Sequence, residues 1–101
     1  MAYKVEFHPD AAKDFDELDG SLKKLAAKQI DKIAENPEIG EPPGKKFGID
    51  LTGYRKMYFA KKQYRIVYDI RKKTITVWIV GIGKREKFEV YEMVAKRLGK
   101  L

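Results

Sequence analysis

The sequence predicts an α+β domain: a helical hairpin near the N-terminus packs on one face of an antiparallel sheet, and a short helix closes the chain, in the order β-α-α-β-β-β-α. Two observations carry this prediction. Apolar residues recur at helical spacing through the first third of the chain, then switch to a period of two from about Lys46. The change falls in residues 36–48, which hold three of the four prolines and several glycines and so read as a loop within one domain spanning 1–101.

Each element has its own signal. Tyr3, Val5 and Phe7 alternate with polar neighbours, which predicts a short strand. Pro9 suits a first helical turn, and Ala12, Phe15 and Leu18 follow on one stripe. Asp19-Gly20 ends that helix and Ser21 is placed to cap the next, which buries Leu22, Leu25, Ile30 and Ile33 and stops before Asn36-Pro37. The acidic residues of the first helix are expected to form a hydrated face. Strands are expected at about 54–60, 63–71 and 74–82, with a short one near Phe47–Leu51. A final helix over about Glu86–Leu98 carries Tyr91, Val94, Ala95 and Leu98 on one stripe.

Parity assigns the faces of the sheet. Tyr64, Ile66, Tyr68 and Ile70 form one apolar face with Met57 and Phe59, while Arg65, Val67 and Asp69 point the other way. A two-residue turn at Lys61-Lys62 sets Phe59 opposite Tyr64, Tyr58 opposite Arg65 and Lys56 opposite Val67. A slip by one residue would drive Lys56 and Tyr58 into the core. A second two-residue turn at Lys72-Lys73 pairs Ile70 with Ile75, Tyr68 with Val77 and Ile66 with Ile79. The other face then carries Lys56, Tyr58 and Arg65 beside an apolar strip of Val67, Trp78, Val80 and Ile82. Either the last helix, through Phe88, Tyr91, Val94 or Leu98, or a helix from a partner must cover that strip.

Charge is segregated along the chain. Through Gly44 there are 6 basic against 10 acidic residues, net −4; from Lys45 onward there are 16 against 5, net +11. A basic half this pronounced points to a polyanion such as RNA, or to an acidic partner segment. There is no cysteine, so disulfides and thiolate metal sites are excluded, in keeping with a reducing cytoplasm. No apolar run is long enough to span a bilayer, and no membrane partner is expected. Gly81-Ile82-Gly83 is too short to imply nucleotide binding, and nothing suggests a cofactor or metal. The single histidine, His8 beside Pro9, reads as a capping or exposed residue.

RNA cleavage by internal transesterification needs a base for the 2′-hydroxyl, a cation for the phosphorane and an acid for the leaving oxygen. With no histidine pair, that work falls to Lys, Arg and Tyr. The run Gln63-Tyr64-Arg65-Ile66-Val67-Tyr68, then Gly83-Lys84-Arg85-Glu86, then Val90-Tyr91, resembles the RelE family of toxin–antitoxin ribonucleases over nearly the whole chain.

Taken singly, each residue has an ordinary reading: Arg65 as a solvated strand residue, Arg85 as a turn residue and Tyr91 as a core aromatic. Their joint spacing carries the resemblance. It implies a ribosome-dependent, metal-free mRNA interferase with Arg65, Arg85, Tyr91 and Lys56 as catalytic residues, held inactive by a RelB-like antitoxin. Tyr58, Lys61, Lys62, Lys84 and Lys87 are then the expected RNA contacts.

The family pattern has lysines nine and seven residues before the first arginine; here Lys56 keeps the first and Tyr58 replaces the second. The general base is thus open. Lys56 or Lys61 can serve, with Tyr58 positioning RNA by stacking. A related ParE-type toxin directed at DNA gyrase, and an inactive nucleic-acid- or antitoxin-binding module, are the competing readings.

Overall fold

The computed structural model describes residues 2–42, 45–46, 49–50, 53–84 and 89–99. Strand β1 (Lys4–Phe7) leads into helices α1 (Pro9–Asp16) and α2 (Gly20–Glu35), and a single 3₁₀ turn, Pro37–Ile39, follows. The two-residue strands β2 (Lys45–Lys46) and β3 (Ile49–Asp50) pair with each other. Strands β4 (Tyr54–Phe59), β5 (Tyr64–Arg71) and β6 (Thr76–Lys84) form the main sheet with β1, and α3 (Glu89–Arg97) ends the fold. The sheet order is β1-β6-β5-β4. It is mixed rather than wholly antiparallel, because β1 lies parallel to β6, Val5 beside Val77 and Phe7 beside Ile79. The expected strand near Phe47–Leu51 corresponds to β3; Phe47 and Leu51 lie outside the described residues.

Local chemistry explains the helix ends. His8 caps α1, its Nδ1 accepting from the Asp10 amide at 3.0 Å, with Pro9 at the first helical position. The cap of α2 is Asp19 and not Ser21: Asp19 Oδ1 accepts from the Leu22 amide at 2.9 Å, and Ser21 Oγ donates to the same oxygen. The buried stripe of α2 runs through Ala26, Ile30 and Ile33, while Leu25 is 42% exposed. On α1 the fully buried residue is Ala11 rather than Ala12.

The first hairpin has the expected register, with Tyr58 opposite Arg65 and Phe59 opposite Tyr64. Lys61 and Lys62 both have positive φ (54° and 67°), which a tight I′-type turn demands, and Ala60 shares that conformation at 53°. The second hairpin differs. Its connection takes Lys72–Ile75, so Ile70 faces Val77, Tyr68 faces Ile79, and Ile75 is left exposed in the left-handed region. A shift of two residues preserves side-chain parity, so the core face survives the error.

A bulge then separates Val67, paired with Gly81, from Tyr68, paired with Ile79. Beyond it Ile66 meets Ile82 instead of Ile79, and Ile82 turns into the helical core rather than onto the opposite strip.

Two apolar clusters flank the sheet. Ala11, Ala26, Ile30, Ile33, Phe59, Ile66, Tyr68, Val77, Ile79 and Ile82 pack beneath the helical hairpin. Fully burying one such Ile or Val side chain contributes about 1.5–3 kcal/mol. The buried Tyr68 hydroxyl donates to the Pro37 carbonyl at 2.6 Å and accepts from the Gly40 amide at 3.0 Å, pinning the loop.

On the far face α3 lays Tyr91, Val94 and Ala95 over Val67 and Val80, with Trp78 and Leu98 at the margin. The chain's own last helix therefore covers the strip. Gly81 permits the approach, since a Cβ there would collide with Val94 Cγ2. Phe88, the other residue expected on that strip, lies outside the described residues.

Candidate active site

The site forms where β4, β5 and α3 meet. Alternation along β4 sends Lys56 and Tyr58 to the α3 side, and pairing sets Tyr58 against Arg65 and Gly83 on Arg65's other flank. The Arg65 side chain turns towards Tyr91 of α3. Its guanidinium carbon lies 4.7 Å from the centre of the Tyr91 ring and 5.3 Å from that of Tyr58.

The two phenol faces stabilise the guanidinium, each contributing up to about 2 kcal/mol when water is excluded. Water is largely excluded here, because Arg65 is 5% and Tyr91 2% exposed.

The Tyr58 oxygen joins the cations. Lys56 Nζ donates to it at 3.0 Å and Arg65 Nη2 approaches at 3.5 Å. Lys56 Nζ and Lys62 Nζ also stand 5.0 and 6.0 Å from the Tyr58 ring centre. The hydrogen bond from Lys56 pulls the Tyr58 phenol below the ordinary tyrosine range, with Arg65 assisting and partial burial opposing. Burial has the upper hand at Tyr91 and pushes its phenol up, against the pull of Arg65 and Lys56. Two phenols on one guanidinium are thus driven in opposite directions. Glu41 sits at the rim, 4.0 Å from Lys56, with most of its side chain in water.

Among the expected site residues, the structure brings Lys56, Tyr58, Arg65 and Tyr91 together. Lys61 and Lys62 lie exposed on the adjoining turn. Lys84 is exposed at the same end of the sheet, opposite Tyr64. Arg85 and Lys87 lie outside the described residues. Three successive left-handed residues without glycine, Ala60 to Lys62, cost about 1–2 kcal/mol each, a kind of strain that gathers at functional sites.

Among the described residues no group of three or more His, Asp or Glu side chains is placed to hold a metal ion. In the same residues no helix is long and apolar enough to cross a membrane.

Sequence reasoning missed the pair that seats α3. Arg97 grips Asp14 through two hydrogen bonds, Nη1 to Oδ2 at 2.6 Å and Nη2 to Oδ1 at 2.8 Å. Asp14 Oδ2 also accepts from the Ile82 amide at 3.1 Å, and Arg97 Nη1 donates to the Val80 carbonyl. Asp14 is therefore an anchor and not part of a hydrated face. The signal was present, since position 14 shares the helical stripe of Ala11, Phe15 and Leu18.

The sequence profile of the ParE toxin of type II toxin-antitoxin systems (parDE) matches residues 5–87. A RelE-like toxin protein of Escherichia coli is 32% identical, the match covering 97% of this chain and 99% of the relative. The mRNA interferase toxin RelE of Escherichia coli K12 is 28% identical with the same coverage.

Solved structures agree. An arginine double mutant of Escherichia coli RelE in the free state superposes with a TM-score of 0.74 at 28% identity, covering 97% of this chain and 99% of that one. The same mutant with a RelBc antitoxin peptide gives 0.70 at 27%, covering 96% and 98%.

Proposed function

The chain belongs to the RelE/ParE family of type II toxin–antitoxin toxins, and we propose that within it this protein is a ribosome-dependent endoribonuclease that cleaves mRNA and is neutralised by a RelB-like antitoxin. The observation that carries the reading is the guanidinium of Arg65 set among Lys56, Tyr58 and Tyr91. Its likeness to the mRNA interferase RelE over the full length points the same way. The match to the ParE toxin profile over residues 5–87 is the observation that favours the competing, gyrase-directed reading.

In this reaction the 2′-oxygen of the RNA attacks the adjacent phosphorus, leaving a 2′,3′-cyclic phosphate and a 5′-hydroxyl. Charge builds on the phosphoryl oxygens at the transition state, and Arg65, joined by Arg85, neutralises it through a planar, permanently charged fork. Tyr91 backs Arg65 from the α3 side and fixes its orientation. Lys56 supplies a second cation, and Lys61, Lys62, Lys84 and Lys87 hold flanking phosphates.

Primer extension on translating ribosomes tests the reading. Wild-type protein should give new 5′ ends within open reading frames, and Arg85→Ala should lower cleavage by at least about 100-fold, the scale of one lost transition-state donor. Inhibition of gyrase supercoiling with no RNA cleavage would transfer the protein to the ParE-type activity. Ribosome or antitoxin binding with neither activity would make it an inactive binding module.

A further inference from the structure

We propose that Tyr58 is the residue that removes the proton from the attacking 2′-hydroxyl, an assignment that rests on the endoribonuclease reading. Arg65 cannot serve, because a guanidinium does not give up its proton in a protein. Tyr91 is 2% exposed beneath it. Lys56 Nζ donates a hydrogen bond to the Tyr58 oxygen at 3.0 Å, which places it to stabilise negative charge on that oxygen. Tyr58 is half-buried, on the strand that borders the basic 60–63 turn.

The surroundings of Tyr58 favour its ionised form. Lys56 faces it from β4, Arg65 from β5 and Lys62 from the turn, with the Tyr91 ring of α3 against Arg65 and Glu41 pairing with Lys56 at the rim. From α2, Gln29 Nε2 donates to the Tyr58 backbone carbonyl at 2.6 Å, which holds this stretch of β4 in place. The lowered phenol pKa agrees with this geometry.

The step balances without a co-reactant. The Tyr58 phenolate takes the 2′-hydroxyl proton as the O2′–P bond forms and the P–O5′ bond breaks. The departing 5′-oxygen takes a proton from water, and the Tyr58 phenol returns one to water before the next turnover. No electrons are transferred.

Tyr58→Phe keeps the ring and removes the oxygen, so single-turnover cleavage on ribosomes should fall by at least about 100-fold, with KM unchanged and the acid limb of the pH–rate profile lost. Tyr58→Lys supplies a different base, whose pKa Lys56 and Arg65 depress, and should recover activity with a displaced limb. The tyrosinate absorbance difference between wild type and Tyr58→Phe should titrate below pH 10.0.

A cleaving wild type with an unmoved Tyr58→Phe profile, or a difference signal that titrates at or above the ordinary value, overturns the assignment while sparing the nuclease reading. So does a variant that loses only KM, the mark of a stacking role. A wild type that cleaves nothing overturns the nuclease reading and this assignment with it.

Discussion

Replacing Asp14 with alanine removes the acceptor that holds three donors at one point: two guanidinium nitrogens of Arg97 and the Ile82 amide. Both side chains of the pair are 12–13% exposed, so water reaches them poorly once the partner is gone. Removing one member of a buried ion pair costs about 3–5 kcal/mol; Arg97 keeps Asp10 at 3.7 Å and some solvent access, which puts Asp14→Ala at the lower end, about 3 kcal/mol.

For a domain of this size that is a fall in Tm of roughly 12–24 °C. The loss should be specific to the pair. In a double-mutant cycle, Arg97→Ala on top of Asp14→Ala should add little, with a coupling energy of about 2 kcal/mol. Urea melts of wild type, both single variants and the double variant supply the cycle. A coupling below about 0.5 kcal/mol, or a single-variant loss below about 1 kcal/mol, would show that the two-point grip carries no energy. Because α3 also seats Tyr91 against Arg65, the proposed endoribonuclease reading expects the same variants to lose cleavage before they lose fold.

Two further outcomes are expected. Lys61→Gly relieves one of the left-handed residues of the turn and should raise stability by about 0.5–1 kcal/mol in urea melts; a destabilised variant would contradict the turn conformation. Burial raises the phenols of Tyr68 and Tyr91 above 10.0 in the folded protein, so the native state keeps protons that the unfolded chain releases. Their stabilisation is complete below pH 10.0 and declines as pH rises towards the folded values. Urea midpoints should therefore drop above pH 10.0, and a flat profile would contradict the burial of those hydroxyls.

The pairing of Tyr58 with Arg65 is legible in the sequence, because a one-residue slip buries Lys56 and Tyr58 and the desolvation penalty rules it out. The second hairpin was less legible for a related reason. A two-residue shift leaves every side chain on its own face, so the apolar pattern cannot tell a connection at Lys72-Lys73 from the longer one through Ile75. The bulge at Val67 was likewise silent, and it alone redirects Ile82. The parallel docking of β1 beside β6 was not readable from local pattern, since an alternating strand fits either direction.

The sequence by itself determined the element order, the helical pair, the two faces of β5 and the residue types that can meet a phosphate. These follow from periodicity and from chemistry carried within a few residues. Only the tertiary structure decided that α3 covers the Val67–Val80 strip, that Arg65 is sealed between the Tyr58 and Tyr91 rings, and that Asp14 anchors Arg97. Each of those joins residues far apart in the chain. Which distant charges and rings meet depends on how helices and sheet pack in three dimensions, and no local spacing encodes that.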